Sequence, residues 1–389
     1  MTKVNYSGES AVIVCHDSVF GPPHELRDYF LRHNIKSLLF IGHVNRYLPN
    51  NPVTSSYIEL YEKGKLVKKA QAKRINLPEW IGYIRDIILT KWWFLKYMRF
   101  SSTYFIGLGN MNLLCGLVGK LFGTVTHAIY YVIDYSPVRF SNKIMNGIFH
   151  GLDYVCSQYS SVTWNYAKGM MIAREKKWKK KFPHQTIIPN GITIKKNLPG
   201  YSTKNRHELV YIGTLVKQQG VMFVVHSMMR LKKIIPDIHL TIIGMGDLKK
   251  EIESYCKMNN LTYAVDVAGY IPDPYEADKI LSKGALGVAM YAPDNSIVGY
   301  TEPGKIKRYL SCSVPVIMTP VSPIANDIEK YHCGFKCPYD TPRFVSMVSA
   351  YLHNETEIEL YRKNALAYAK RFEWEKVFTK SFQELTNTI

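Results

Sequence analysis

Lys305 follows a Pro303-Gly304 turn and leads, through a short basic segment, to the apolar run Val314–Ile317. Proline and glycine at this place predict a helix from about Lys305 to Leu310, and the apolar run predicts a buried strand. A helix start attracts anions, and ligand phosphates in α/β sheets lie at helix starts beyond the strand ends. This stretch alone is equally compatible with a phosphate-binding lysine and with solvated charges on a surface helix.

Glycines follow several predicted strands in the second half of the chain, namely Gly213, Gly244, Gly246 and Gly269. Singly, each has an ordinary steric explanation, but together they outline one crevice at the carboxyl ends of parallel strands, where backbone can approach a ligand. The first strand is not followed by G-x-G-x-x-G, and the sequence contains no G-x-x-x-x-G-K-[ST] loop. The pattern therefore disfavours a nicotinamide enzyme and a P-loop NTPase.

The elements that must position these residues alternate between strand and helix in both halves of the chain. Strand Ser10–Cys15, a glycine-proline turn, a helix from about His24 and strand Ser37–Ile41 begin a parallel sheet, and the alternation restarts at Glu208. We predict two doubly wound α/β domains facing across a cleft that binds the ligand. The predicted parts are an N-terminal domain 1–193, a linker 194–206, a C-terminal domain 207–365, and a last helix 366–389 that packs back on the N-terminal domain.

The composition is that of a globular protein with two cores: the chain has 389 residues, of which 47% are apolar. Seven scattered cysteines, mostly inside apolar runs, indicate reduced core residues, and no His or Cys cluster accompanies Cys333 and Cys337 to form a zinc site. The polar start, MTKVNYSGES, predicts no signal peptide, and polar residues and glycines within 104–123 favour strand, loop and buried helix over a membrane span. We expect a cytoplasmic protein without a bound metal.

Positive charge is concentrated in the first half, where residues 1–200 hold 27 Lys and Arg against 11 Asp and Glu. Three clusters interleave cations with apolar and aromatic residues: KGKLVKKAQAKR (63–74), KWWFLKYMRF (91–100) and REKKWKKKF (174–182). This mixture suits an anionic membrane surface, and no nucleic-acid-binding motif accompanies it. We therefore predict a peripheral protein on the inner face of the plasma membrane, with no nucleic-acid partner. A solvated basic face is the alternative for any single cluster.

An ordered set of segments in the second half resembles the retaining glycosyltransferases of family 4 (glycosyl transferases group 1), which have the GT-B fold. The segments are LVYIGTLVKQQGV (209–221), LTIIGMGD (240–247), VDVAGYIPD (265–273) and TEPGKIKRYLSCSVPVI (301–317). IPNGI (188–192) matches the family's domain junction, and HDSVFGPP (16–23) and YYVIDYSP (130–137) carry a weaker likeness in the first half.

The resemblance implies a nucleotide-sugar held mainly by the C-terminal domain, an acceptor at the N-terminal domain, transfer with retained configuration, and no metal or other cofactor. Lys305 would then stabilise the departing diphosphate, and Glu302 would hold hydroxyls of the donor sugar. The family's arginine and lysine after the first strand of this domain are replaced by Thr214 and Gln219, with Lys217 between them as a possible substitute. The family's Glu-x7-Glu pair falls on Tyr300 and Arg308. The donor-binding candidates are Gly21, Gly213, Lys217, Gly244, Gly246, Gly269, Tyr270, Gly304 and Arg308.

On the acceptor side, Asp134 ends a predicted strand, and a carboxylate there could accept a hydrogen bond from the incoming hydroxyl. His24 and Tyr135 are weaker acceptor candidates, since both also fit structural positions. We predict a metal-independent transferase that moves a sugar to a lipid-linked glycan in polysaccharide or glycoconjugate biosynthesis. Two alternatives stay open: a GT-B sugar-nucleotide epimerase, and a non-catalytic basic protein that binds membrane or RNA on a degenerate GT-B scaffold.

Overall fold

The structure, a computed structural model, describes residues 5–18, 21–46, 52–202, 207–293 and 303–388, and the chain divides into two units. Unit 1 consists of Met1–Gly191 together with Trp374–Ile389, and unit 2 of Ile192–Glu373. The described residues of the predicted linker, 194–202, are grouped with unit 2, and Leu198 packs on a core of that unit. The predicted last segment is divided: residues up to Glu373 belong to unit 2 and the remainder to unit 1.

Each unit is built on one sheet. Unit 1 contains β1 (Ser10–Asp17), β2 (Ser37–Val44), β3 (Tyr57–Glu62), β4 (Lys65–Gln71), β5 (Ser102–Leu108), β6 (Val125–Val132), β7 (Val162–Asn165) and β8 (Gln185–Ile187), in the order β4-β3-β2-β1-β5-β6-β7-β8. Unit 2 contains β9 (Glu208–Ile212), β10 (His239–Ile243), β11 (Val265–Gly269), β12 (Leu286–Ala289), β13 (Val316–Met318) and β14 (Gly334–Lys336), in the order β11-β10-β9-β12-β13-β14.

The helices of the described residues connect these strands. In unit 1 they begin with α1 (Pro22–Arg32), α2 (Glu79–Met98), α3 (Asn110–Leu121), α4 (Lys143–Tyr159) and α5 (Lys168–Trp178). In unit 2 they are α6 (Val221–Ile234), α7 (Lys249–Met258), α8 (Pro274–Lys283), α9 (Gly304–Ser311), α10 (Ile324–Lys330), α11 (Thr341–Leu352) and α12 (Glu355–Ala369). The last helix, α13 (Trp374–Thr388), returns to unit 1. Within the described part of the chain, no helix combines the length and hydropathy needed to cross a bilayer.

Parallel pairing dominates both sheets, because each crossover helix returns the chain to the same end. Among the described strands, antiparallel pairing occurs at one edge of unit 1, between β2 and β3 and within the β3–β4 hairpin. The central strands are covered on both faces, which is why they are continuous apolar runs such as Ala11–Cys15. The prediction of two doubly wound domains is confirmed, whereas the hairpin was not predicted.

Helices cover both faces of each sheet. On one face of the unit 1 sheet, α1 and α13 enclose a core rich in aromatic rings, and on the other face α2 to α5 pack against a second core. All seven cysteines are buried free thiols, as predicted, and burial raises the pKa of Cys115 to about 11. Asp153 and Arg174 form a fully buried bidentate pair, with Nε–Oδ2 and Nη2–Oδ1 distances of 2.8 and 3.0 Å. Arg174, predicted to lie in a surface cluster, is thus an internal residue.

Candidate functional site

The strand order of unit 2 reverses direction between β9 and β12, which is the point where open α/β sheets bind ligands. The loops after the strands meet there through backbone hydrogen bonds: Leu215 N donates to Met245 O (2.8 Å), and Gly244 N donates to Gly269 O (2.8 Å). Gly244 has a φ of +152°, and a Cβ on it would lie 1.9 Å from the Gly213 carbonyl oxygen. Gly213, Gly244, Gly246 and Gly269 therefore lie at one edge of the sheet, as predicted.

Helix α9 is fixed at this edge by one side chain. Ile306, Tyr309 and Leu310 recur at helical spacing and are buried, so the helix packs on the sheet by this face. The Tyr309 hydroxyl donates to the Val288 carbonyl of β12 at 3.1 Å and accepts from the Ile212 N–H of β9 at 2.8 Å. The two strands that flank the reversal are thereby linked to α9.

Lys305, in the first turn of α9, brings its ammonium group to the reversal point. Its Nζ donates to Gln219 Oε1 at 2.8 Å and lies 4.9 and 4.3 Å from the ring centres of Tyr211 and Tyr291. Tyr211 belongs to β9 and Tyr291 follows β12. Burial lowers the pKa of Lys305 to about 7, because the charged form loses water that the two rings only partly replace. This ammonium would bind an anion strongly, since little solvent screens it.

Gln219 occupies the position where the resembled family has a lysine, so the structure brings the Lys305 ammonium beside that position. Lys217, the predicted substitute, lies in a short 3-10 helix with its side chain exposed. Tyr211 donates from its hydroxyl to the Thr214 carbonyl at 3.2 Å, which holds the loop that replaces the family's arginine. The sequence did not single out Tyr211 or Tyr291, although a tyrosine just before Gly213 in an otherwise aliphatic strand is a detectable signal.

The other predicted donor residues of unit 2 have different surroundings. Gly304 begins α9 and is exposed, and Tyr270 is exposed immediately after Gly269. Arg308, a predicted donor-binding residue, joins α9 to α8: its Nε donates to Asp278 Oδ1 at 2.7 Å and its Nη2 to the Pro274 carbonyl at 3.1 Å. Glu302 and Tyr300 lie outside the described residues.

Unit 1 has a cavity of about 390 Å³ at its own reversal point, between β1 and β5. Gly21, which precedes α1, and Asp134, which follows β6, both line it, as do Arg139 and Phe149. The Asp134 carboxylate is half-exposed and forms an ion pair with Arg139. These two predicted residues are therefore brought to one cavity within unit 1.

A buried polar network forms one wall of this cavity, and the sequence did not reveal it. His16 Nδ1 lies 3.2 Å from Asn112 Nδ2, and its Nε2 lies 3.5 Å from Asp86 Oδ2. Arg46 Nη1 donates to the same Asp86 oxygen at 2.6 Å. Burial opposes ionisation of Asp86, but the neighbouring His16, His43 and Arg46 outweigh it and hold the pKa of this carboxyl well below its usual range. The detectable signal is a single aspartate inside the apolar stretch of α2.

The weaker acceptor candidates have structural environments. His24 Nε2 lies 2.7 Å from Oδ1 of the buried Asp17, whose other oxygen accepts from the Tyr57 hydroxyl at 2.5 Å. Tyr135 is buried in the core that packs against α2 to α5, under the Arg174 guanidinium at 5.4 Å. Neither residue lines the described cavity of unit 1. In the described part of the chain, no three His, Cys, Asp or Glu side chains converge as metal ligands.

Two units, each a mostly parallel sheet covered by helices on both faces, have the architecture of the GT-B fold. Residues 206–354, which lie in the C-terminal half of the chain, match the family model of the Glycosyl transferases group 1. The predicted family resemblance and fold class are confirmed. No curated protein is significantly similar in sequence to this chain.

Solved structures extend the likeness of fold to both units. Sucrose-phosphate synthase from Thermosynechococcus elongatus is 13% identical with a TM-score of 0.69, and the match covers 98% of this chain and 100% of that one. Anabaena HepE in complex with UDP is 12% identical with a TM-score of 0.65, covering 97% and 100%. The pneumococcal O-GlcNAc transferase GtfA in complex with UDP and GlcNAc is 14% identical with a TM-score of 0.56, covering 85% and 67%.

Proposed function

We propose that this protein is a retaining glycosyltransferase that moves a sugar from a UDP-sugar to a lipid-linked glycan acceptor without a metal ion. The observation that carries the proposal is the desolvated Lys305 ammonium at the strand reversal of unit 2. The UDP complexes of HepE and GtfA support the choice of donor base. The charge of the first half supports a cytoplasmic enzyme at the inner face of the plasma membrane.

In this reaction the bond between the anomeric carbon and the diphosphate oxygen breaks, and a bond forms between that carbon and the acceptor hydroxyl oxygen. Negative charge develops on the departing diphosphate, and the hydroxyl proton would pass to the Asp134 carboxylate and from there to solvent. Lys305 and the N–H groups at the start of α9 would stabilise that charge, which is the task a metal ion performs in other transferases. A bound diphosphate would raise the pKa of Lys305, so the lysine would take up a proton when the donor binds.

The loops after β9 and β10 would admit the nucleotide closely, because Gly213, Gly244 and Gly246 have no side chains there. The unit 1 cavity would take the acceptor hydroxyl, with Asp134 accepting its hydrogen bond and Arg139 orienting the carboxylate. Asp134, Glu302 and Lys305 remain the proposed catalytic groups, and Lys217 and Tyr270 remain proposed donor contacts.

The test is nucleotide release from UDP-, GDP- and ADP-sugars, with a membrane extract as acceptor. We expect release from one donor, and a loss of at least 100-fold in Lys305→Ala. Lys250→Ala, which removes an exposed lysine of α7 in the same unit, is the matched control and should keep full release. The variant Lys217→Ala shows whether nucleotide release also depends on Lys217, the second candidate for binding the diphosphate. The anomeric configuration of the product, read by NMR, tests retention.

Other outcomes identify the alternatives. Release without acceptor, with an epimerised free sugar, would indicate the epimerase. If the protein is folded but neither releases nucleotide from any donor nor binds UDP, the proposal of a transferase is wrong. The alternative of a non-catalytic basic binding protein is then favoured. A metal-chelator-sensitive rate would contradict the assignment of the leaving-group charge to Lys305.

A further inference from the structure

Helix α2 has an apolar outer surface that no described residue covers. Its inner face contributes Trp93 and Phe94 to the core, but a second apolar row on the same helix points to solvent. The members of that row are Trp80, Ile84, Ile88, Trp92 and Leu95, with exposed fractions between 49% and 61%. Their spacing of four, four, four and three residues places them along one stripe of the helix.

The neighbouring helices extend this surface. α3 packs beside α2 through the Cys115 thiol, which donates to the Ile87 carbonyl, and beside α4 through Lys120 Nζ, which donates to the Tyr159 carbonyl at 3.0 Å. All three helices cover the same face of the unit 1 sheet. Further exposed apolar residues on α3, its C-cap and α4 are Val118, Leu121, Phe122, Ile144 and Ile148, with Leu121 82% exposed. We call the exposed apolar residues of α2, α3 and α4 the outer apolar surface.

The charges around the outer apolar surface are mainly positive. Residues 79–159 contain seven Lys and Arg and four Asp or Glu, and one of the four, Glu79, accepts a hydrogen bond from the Tyr83 hydroxyl. Asp86 and Asp153 are buried against arginines, and Asp134 is paired with Arg139. Lys96 lies over the Trp92 ring at 4.7 Å, so its ammonium is held at the border of the apolar stripe. An apolar surface bordered by cations complements a lipid bilayer with anionic headgroups.

The outer apolar surface and the unit 1 cavity share two helices. Tyr83, which lines the cavity, lies on α2, and Phe149, another lining residue, lies on α4. A membrane held against these helices would therefore lie beside elements that form the cavity. That cavity is the place where a lipid-linked acceptor must present its hydroxyl.

We propose that unit 1 docks on anionic bilayers through the outer apolar surface, with the α2 stripe inserted at headgroup depth. The inference deepens the proposed function, since it names the surface by which the enzyme meets a lipid-linked acceptor. Tryptophan and isoleucine side chains would bury apolar area among the acyl chain ends, and lysines 91, 96, 120 and 143 would contact lipid phosphates. Neither contribution alone gives stable anchoring, so binding requires both.

The test is co-sedimentation of the full-length protein with phosphatidylcholine vesicles, with and without 30% phosphatidylglycerol, at low and high salt. We expect binding only to the anionic vesicles, weakened by salt. The double variant Ile88→Ser/Trp92→Ser should bind at least tenfold more weakly. The matched control, Met258→Ser/Leu360→Ser, removes two exposed apolar residues of unit 2 and should bind like the wild type.

UDP binding and unfolding are measured on the same samples, so that failure of the docking surface is distinguishable from failure of the proposed function. The proposal is supported if the double variant loses vesicle binding while its UDP affinity and its stability stay unchanged. Wild-type protein that ignores anionic vesicles, or a double variant that still binds them, overturns it whether or not UDP binds. A wild-type dimer that the double variant converts to a monomer would instead assign the surface to a second copy of the chain.

Discussion

At the residue scale, Lys305 has a pKa of about 7, and the proposed reaction requires its side chain to be positively charged. Below pH 7 the ammonium is protonated in the free protein and can bind a diphosphate. Above pH 7 it loses its proton, so we expect kcat/KM for the donor to fall by up to tenfold per pH unit, and roughly 100-fold by pH 9. Lys305→Arg keeps its charge throughout this range, so its profile should be flat there. Initial rates between pH 6 and 9 measure both.

This assignment would be contradicted if kcat/KM were independent of pH in the wild type but fell with pH in Lys305→Arg. Lys250→Ala, remote from the ammonium in sequence and exposed on α7, provides the profile expected of an unperturbed site. A slope shared by all three proteins would belong to another group or to the substrate.

Asp134 carries the second prediction at this scale. Its carboxylate is proposed to accept the hydroxyl hydrogen bond, and an amide is a poorer acceptor that also loses the pairing with Arg139. Asp134→Asn should therefore lower acceptor-dependent turnover by about 100-fold. UDP affinity, measured by calorimetry, should stay unchanged because the nucleotide contacts proposed here lie in unit 2. A variant that turns over normally would remove Asp134 from the mechanism.

The sequence predicted some residues and missed others for a physical reason. Lys305 and the strand-end glycines are detectable because Pro, Gly and short apolar runs mark local structure. His16, Arg46 and Asp86 are far apart in the chain and meet only through the packing of α2 on the sheet. Arg308 lies one turn from Lys305, yet its direction depends on the partner Asp278, which the sequence pattern does not identify.

At the element scale, Tyr309 holds α9 and therefore Lys305. Tyr309→Phe keeps the ring but leaves the Ile212 N–H and the Val288 carbonyl without this hydroxyl. We expect unit 2 to lose about 1–3 kcal/mol of unfolding free energy, because a buried N–H without an acceptor is costly. Urea denaturation measures the loss. Tyr263→Phe, which removes the hydroxyl of an exposed tyrosine in the same unit, is the control, and equal stability of both variants would refute the role of Tyr309.

Elements with a buried face were predicted well, and the exposed ones were not. Helix α8 (Pro274–Lys283) is detectable in the sequence, since a proline begins it and the apolar Ala277 and Leu281, four residues apart, face the core. The β4 strand was instead interpreted only as a basic cluster. Its side chains from Lys65 to Lys69 are exposed on both faces, so the sequence lacks the alternation that predicts a strand.

At the scale of the whole molecule, the last helix belongs to unit 1, whereas the segment that precedes it belongs to unit 2. Trp374 begins α13, whose aromatic side chains complete the core of unit 1 against α1. The sequence could suggest this return only through the family resemblance. An apolar periodicity predicts a helix but not the sheet that the helix covers. For the same reason, the sequence did not identify Leu198, within the predicted linker, as a residue that packs on unit 2.

Phe382 tests this division of the chain. Its ring is buried among Tyr29, Phe30 and Trp164, with ring centres 5.1–5.9 Å away. Phe382→Ala should destabilise unit 1 by about 3–5 kcal/mol, because a buried ring leaves a cavity. Pulse proteolysis across a urea series, with fragments assigned by mass spectrometry, should show residues 1–191 cleaved at lower urea while residues 192–373 keep their midpoint. The control Leu360→Ala, an exposed position of α12, should move neither. If both units shift together in Phe382→Ala, they unfold as one cooperative body, and the separation of the chain into two independently stable cores is wrong.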